Sequence, residues 1–344
     1  MKKKSTLILL GAVLVVCIGA YIGVAVYNNA QAQKTADKEK ASQIWQSGWG
    51  APVSISYTTG DTTLSFVLES DTWKVAGDKA FPLAQTSLTG IASALRSLAA
   101  VRTIDAPQAL PVYGLDKPAF TLTAADAKGS GMTLLIGAQN GGNYYAMAQG
   151  GGKVWTIGST LPDGLKPDYL SMITLETLPS FTTKDITQVT LFDGSSTLTL
   201  DQHLNKDGSY TWFVVRGDKV TAADEITLNA ASDKSPQKFI DDAVNGLGSL
   251  QFSSCAAYKP GPDALKTYGL DFPKLTIIVD YAVTTGQGTL DQKTTKSTMS
   301  LEIGTLLPDS SGYCARIPGS DQVGLLAAAS VTPLLDAVSA MGSV

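Results

Sequence analysis

Six consecutive residues of this chain recur almost unchanged. Tyr113-Gly114-Leu115-Asp116-Lys117-Pro118 returns 155 positions later as Tyr268-Gly269-Leu270-Asp271-Phe272-Pro273, with five of the six positions identical. The flanks agree as well, so the body reads as one structural unit used twice. The physics of the motif is local. A short helical turn is expected to open at Pro107 and at Pro262, where a fixed φ and a missing N–H cost nothing. It ends at Gly114 or Gly269, the residue type that tolerates positive φ, and Leu115 or Leu270 folds back onto the turn. Pro118 and Pro273 then forbid further helix and launch an extended segment. Tyr113 and Tyr268 read as half-buried packing residues with the hydroxyl at the rim. Asp116 and Asp271 read as acceptors for nearby backbone N–H groups in preference to an acid/base pair.

The text on either side of the motif is duplicated in order. Strands are expected at 53–57 and 64–68, joined by a Thr-Thr-Gly-Asp turn, with Trp73 and Val75 closing the meander. Leu88, Ile91, Ala92, Leu95 and Leu98 then fall on one face of a helix. After the motif come short strands at 120–124, 132–136, 144–148 and 154–157 and a short helix near 165–172. The second copy offers strands at 186–191, 198–201 and 210–215, with Trp212 where Trp73 fell. Its helix carries Ile240, Val244, Leu247 and Leu250, each 152 residues beyond Leu88, Ala92, Leu95 and Leu98. Strands at 275–281, 298–303, 313–317 and 323–327 follow, then a closing helix at 332–341. The pair Ile136-Gly137 recurs as Ile303-Gly304. The stretch 282–297, rich in Thr, Gly and Gln, is longer than its counterpart and reads as a solvated loop.

The N-terminus differs in kind. Lys2, Lys3 and Lys4 precede an uncharged, mostly apolar run at 5–27, whose 23 residues are long enough to span a hydrocarbon core. A cleaved signal peptide is the alternative, with Ala30-Gln31-Ala32 as its cleavage pattern, and a lipoprotein modified at Cys17 is a third. The lysines hold the N-terminus inside and leave the body outside the membrane. Residues 28–50 read as a polar stalk ending in Trp45 and Trp49, expected as the first core residues, with interfacial anchoring as the alternative. The fold class expected is α+β. An N-terminal transmembrane helix (1–27) and stalk (28–50) precede two repeated modules at 51–178 and 179–344, each a mainly antiparallel sheet with an amphipathic helix packed on it.

Composition narrows the chemistry. Removing the three N-terminal lysines leaves 23 basic against 30 acidic groups, a net charge of −7, and no basic run interleaved with aromatics, so no nucleic-acid partner is expected. The single histidine, His203, and three cysteines without a Cys-x-x-Cys pair leave no metal or cofactor site to expect. Ser235-Pro236-Gln237-Lys238 has the Ser-x-x-Lys spacing of penicillin-binding enzymes, yet lacks the partner motifs and reads as an N-cap followed by Pro at the first helical position. Gly150-Gly151-Gly152-Lys153 lacks the Ser or Thr of a phosphate loop and leads into a strand, so it reads as a hairpin turn. Cys255 and Cys314 are candidates for a disulfide, two thiols of one module in an oxidising location, opposite Thr103 and Ala146 of the first copy; two separate buried thiols are the alternative.

A lysine-flanked apolar run, a Leu-x-x-Leu helix, Tyr-Gly-Leu-Asp-x-Pro, an Ile-Gly strand end and a Tyr-Tyr-Ala strand together resemble the bacterial family called domain of unknown function 4340. The similarity covers most of 64–176 and, more loosely, 186–341. The resemblance implies a membrane anchor, an extracytoplasmic body and a part in a membrane assembly beside ABC transporters of the gliding-motility type. It supplies no catalytic residues. The function expected is a non-enzymatic interaction module at the cell membrane, single-pass, in contact with other membrane proteins of a transporter complex. The alternative is an extracytoplasmic ligand-binding protein for peptide, lipid or glycan; an envelope hydrolase is the third reading.

Overall fold

The structure is a computed structural model that describes residues 24, 26–28, 31, 42–46, 48–285 and 293–343. The chain divides into two compact units, at 1–172 and 173–344. Each is built on one antiparallel sheet.

The first unit holds β1 (Pro52–Thr59), β2 (Thr62–Glu69), β3 (Thr72–Val75), β4 (Arg102–Ile104), β5 (Phe120–Asp126), β6 (Gly131–Asn140), β7 (Asn143–Ala148) and β8 (Val154–Gly158). They form one eight-stranded sheet in the order β3-β2-β1-β5-β6-β7-β8-β4. Alternation sets the faces: Ile55 and Tyr57 of β1, Leu64 and Phe66 of β2, and Leu122 and Ala124 of β5 point into one core. Helix α1 (Gln85–Arg96) buries Leu88, Ile91 and Leu95 against that core. A single turn of helix, α2 (Thr160–Gly164), follows β8. The opposite face carries rows of hydroxyls, with Ser56 opposite both Ser65 and Thr123, and Thr123 opposite Thr133.

The second unit repeats the ladder and adds to it. Its strands are β9 (Ile186–Phe192), β10 (Thr197–Leu204), β11 (Tyr210–Arg216), β12 (Lys219–Ala222), β13 (Phe252–Tyr258), β14 (Leu275–Thr285), β15 (Lys293–Leu306), β16 (Gly312–Arg316) and β17 (Gln322–Ala327). The nine-stranded order β12-β11-β10-β9-β14-β15-β16-β17-β13 is that of the first unit with one extra edge strand, β12. The register also repeats. Ile55 faces Phe66 and Ala124 where Val189 faces Leu200 and Val279, and Trp73 faces Leu68 where Trp212 faces Gln202. Helix α3 (Pro236–Gly248) starts as the sequence predicts, Pro236 at its first turn and the Ser235 hydroxyl accepting from Lys238 N. Helix α4 (Pro262–Thr267) opens the second motif, and α5 (Ala328–Met341) closes the unit against α3.

Several expectations are corrected here. The protein is mostly β-sheet, two large antiparallel sheets with small helical cover, and not an α+β pair with one helix per module. The second unit carries two helices over its core, since α5 buries Val331, Leu334 and Val338 beside α3. The transmembrane helix is not part of the observed fold. Among the described residues no helix is long and apolar enough to cross a membrane, and of the run 5–27 only Val24, Val26 and Tyr27 are described. Trp45 and Trp49, by contrast, belong to the first core as expected, and not to a membrane interface. Ile44 N donates to Leu98 O, Trp45 is 2% exposed, and its indole donates to Gly50 O while packing edge-on to Trp49. Of the stretch read as the loop 282–297, residues 282–285 and 293–297 are strand, because β14 and β15 continue their pairing to Thr285 and Lys293; 286–292 lie outside the described residues.

Candidate functional site

The recurring motif is a joint of backbone on backbone. In the first unit a 3₁₀ turn (Leu110–Tyr113) ends at Gly114, φ 65°; in the second, α4 leads into Gly269, φ 66°. The first turn opens at Leu110 and not at Pro107, because a helix begun at Pro107 would carry Pro111 in its interior, where it has no N–H to donate and crowds the preceding turn. Each joint rests on the glycine after the duplicated isoleucine. A Cβ at Gly137 would lie 2.3 Å from Tyr113 O, and one at Gly304 would lie 1.9 Å from Tyr268 O. In the second unit the contact is a hydrogen bond, Thr305 N to Tyr268 O at 2.8 Å. The two repeated signatures, Tyr-Gly-Leu-Asp and Ile-Gly, are therefore two sides of one contact.

Beneath each joint lies a small apolar cluster on the sheet face away from the main core. Tyr113, Leu115, Met147 and Val154 form the first, and Leu270, Cys314 and Val323 the second. The Tyr113 hydroxyl accepts from Gln108 N, and the Tyr268 hydroxyl donates to Ala256 O. Tyr113 packs edge-on against Tyr145 with ring centroids 4.9 Å apart. The ladder pairs Ile136 with Ala146 and Ile303 with Ala315, so the residue matching Cys314 is Tyr145, one place from the Ala146 expected.

That register also removes the disulfide. Both thiols are free. Cys255 on β13 faces Gly324 and Cys314 on β16 faces Leu325, so all of β17 runs between them. Two strand spacings are roughly 9–10 Å, beyond the Cα separation a bridge tolerates. Because Gly324 and Leu325 are neighbours, the two thiols also point to opposite faces. Cys255 donates to Ala257 O, and burial pushes both thiols above their ordinary pKa, which leaves them protonated and weakly nucleophilic.

The remaining candidates are scattered. The ammonium of Lys238, the lysine of Ser-x-x-Lys, pairs with Asp242, and only its backbone N–H reaches the Ser235 hydroxyl. Gly150, φ 74°, turns the β7–β8 hairpin, and Lys153 reaches Asp105 at 2.7 Å. His203 lies on β10 with its ring over Phe213, 4.6 Å between centroids. Asp116 and Asp271 are exposed, and Asp271 accepts from the next backbone N–H, Phe272 N. Among the described residues no group of three or more His, Cys, Asp or Glu is placed to hold a metal ion.

Two features were not read from the sequence. The first is the corner of the second joint, where Phe272 is 87% exposed in the place of Lys117. It is the single position at which the six-residue motif differs between copies, which was the available signal. The second is a cleft of ≈460 Å³ lined by 175–180 and 248–252. Glu176 there accepts from the Ser320 hydroxyl through Oε1 at 2.6 Å, while its buried Oε2 has no partner among the described residues. Nothing in the local text marks it, since the residues are brought together by the chain crossing between elements.

Two antiparallel sheets of repeated topology, each with a turn locked onto a strand glycine, define a duplicated β-sheet protein. The chain belongs to the family described as Domain of unknown function (DUF4340), which matches residues 73–273. The match begins at the first of the equivalent tryptophans, Trp73, and ends at the last residue of the second motif, Pro273. It thus covers less of the second copy than the resemblance suggested. No curated protein and no solved structure matches the chain.

Proposed function

We propose that this protein is a non-enzymatic, extracytoplasmic interaction module, held at the bacterial cell membrane with its N-terminus inside, in an assembly with ABC transporters of the gliding-motility type. The observation that carries the reading is Phe272. A phenyl ring 87% exposed on a corner fixed by backbone contacts costs hydration in the free protein and is pre-ordered for a partner. Membership of the family supports the assembly, through what the resemblance implies. The lysines before the uncharged run 5–27 support the orientation.

The test is co-purification of the full chain from mildly crosslinked membranes, with Phe272→Lys beside it. That substitution installs the residue the first copy carries at the same corner, so the fold should be untouched. Transporter subunits are expected with the parent chain and should fall several-fold with the variant, at an unchanged melting temperature. Equal recovery with both would sink the role of Phe272. A monodisperse monomer carrying a small molecule would favour the second reading, a binding protein for peptide, lipid or glycan. For that reading the specific support is the cleft beside Glu176.

A further inference from the structure

β14 and β15 are longer than the sheet that holds them. They pair continuously from Leu275 opposite Ile303 to Thr285 opposite Lys293. On one side β9 accompanies β14 only from Thr276 to Tyr281; on the other, β16 accompanies β15 only from Glu302 to Leu306. Residues 282–285 and 293–297 therefore leave the sheet as a two-stranded ribbon, with no strand on either side among the described residues. The matching hairpin of the first unit has no such overhang, since β1 stays paired with β5 as far as Asp126.

A two-stranded ribbon is marginal in water, and its outer backbone groups are ready to receive another strand. The Thr284–Thr294 hydroxyl contact holds the ribbon from within. The side chains along β15 decide what fits. Lys293 and Lys296 are exposed and form no ion pair among the described residues, on a body whose net charge is −7. Three residues apart on a strand, they point to opposite faces. A second copy of this edge would bring lysines against lysines, which penalises self-pairing. An extended segment with acidic side chains on both faces would meet a lysine on each.

The geometry points to the 293–297 edge of β15 as a strand-addition site for an acidic, extended segment of a partner protein, which would complete the ribbon as a three-stranded sheet. This rests on the ribbon alone and is independent of Phe272.

The probe is a synthetic ten-residue peptide of Thr and Val with Glu at every third position, beside the same peptide with Lys for Glu. Binding to the purified full chain is followed by fluorescence anisotropy, and the site by amide hydrogen exchange. The acidic peptide is expected to bind and slow exchange at 293–297, with β12 unaffected. Lys293→Glu with Lys296→Glu should weaken binding roughly tenfold, two exposed ion pairs being lost and reversed. These are surface changes, and far-ultraviolet circular dichroism serves as the fold control. Four results would overturn the proposal: unchanged exchange at saturating peptide; equal binding of both peptides; ribbon protection in a peptide-free dimer; or protection only by phosphatidylglycerol-containing vesicles, which would make the ribbon a membrane contact.

Discussion

Gly269 and Gly304 lie on the two sides of one joint, but they are required for different reasons. Gly269 has positive φ, and a Cβ there would also lie 2.8 Å from Thr305 Cγ2, so Gly269→Val forces a β-branched residue into the left-handed region against a close neighbour and should cost on the order of 1–3 kcal/mol. Gly304 has no such torsion; a methyl there meets Tyr268 O at 1.9 Å, and Gly304→Ala should destabilise the second unit by roughly 2–4 kcal/mol through overpacking. Gly60 is the control. It has φ 55° but open space around its Cβ, so Gly60→Ala should cost only about 1 kcal/mol. Urea denaturation of the three variants separates the causes, and an equal loss in all three would contradict the assignment. Asp126 supplies a pH test. Its carboxylate, 4% exposed, is held below the usual range first by Gly50 N and then by Ser130 N and Lys128 N, each at 2.8 Å. A depressed folded pKa contributes stability above the ordinary value, about 3.9, and loses it as pH falls through the folded pKa. The gap in urea midpoint between the parent and Asp126→Asn should therefore be wide at pH 7 and narrow on acidification below pH 4. A gap independent of pH would mean that the carboxylate charge is not what those amides recognise.

The helices test how far periodicity carries. The stripe Leu88, Ile91, Ala92, Leu95, Leu98 and its echo Ile240, Val244, Leu247, Leu250 was legible, because burial on a regular face leaves a regular spacing; all but the half-buried Ala92 are buried, although Leu98 and Leu250 lie just past the ends of α1 and α3. The start of α5 was not. The closing helix is expected from Thr332, which would put Pro333 in its first turn, whereas the helix begins at Ala328 and keeps Pro333 inside. Packing outweighs the lost hydrogen bond: Ser330 and Val331 are buried, and the Ser330 hydroxyl meets that of Ser249 at 2.9 Å. The same contact reverses an ordinary substitution. Gly90 of α1 has nothing within 4 Å of its Cβ position, so Gly90→Ala should stabilise by about 0.5–1 kcal/mol. Gly246 of α3 would place its Cβ 2.6 Å from Ser330 O, so Gly246→Ala should destabilise despite the same gain in propensity. Thermal melts of the two variants should move in opposite directions. If both rise, α3 and α5 are not in the close contact described.

At the scale of the whole chain, the duplication was readable because a joint between backbones fixes residue identity on both sides. Tyr113-Gly114 and Ile136-Gly137 could not drift independently. What pairing leaves free was unreadable: the extra strand β12, the ribbon beyond Tyr281, and the separation of Cys255 from Cys314 by an intervening strand. Each depends on strand order at an edge, which alternation does not encode. Since the second unit encloses its own core, residues 173–344 produced alone should unfold in one cooperative urea transition, and a gradual transition would show otherwise. The two copies have also parted in a way that bears on their history. The ladder matches Trp155 of β8 with Gly324 of β17, and the ring of Phe252 on β13 takes the space a side chain at 324 would need, with Cδ1 2.2 Å from its Cβ position. One aromatic ring has been traded between adjacent strands. A crossover within the gene that moved β17 without β13 would leave a hole, and one that moved β13 without β17 would set two rings in one volume. Recombination between the halves is thus penalised wherever it separates these strands, so a sequence born of copying has become resistant to being copied over again.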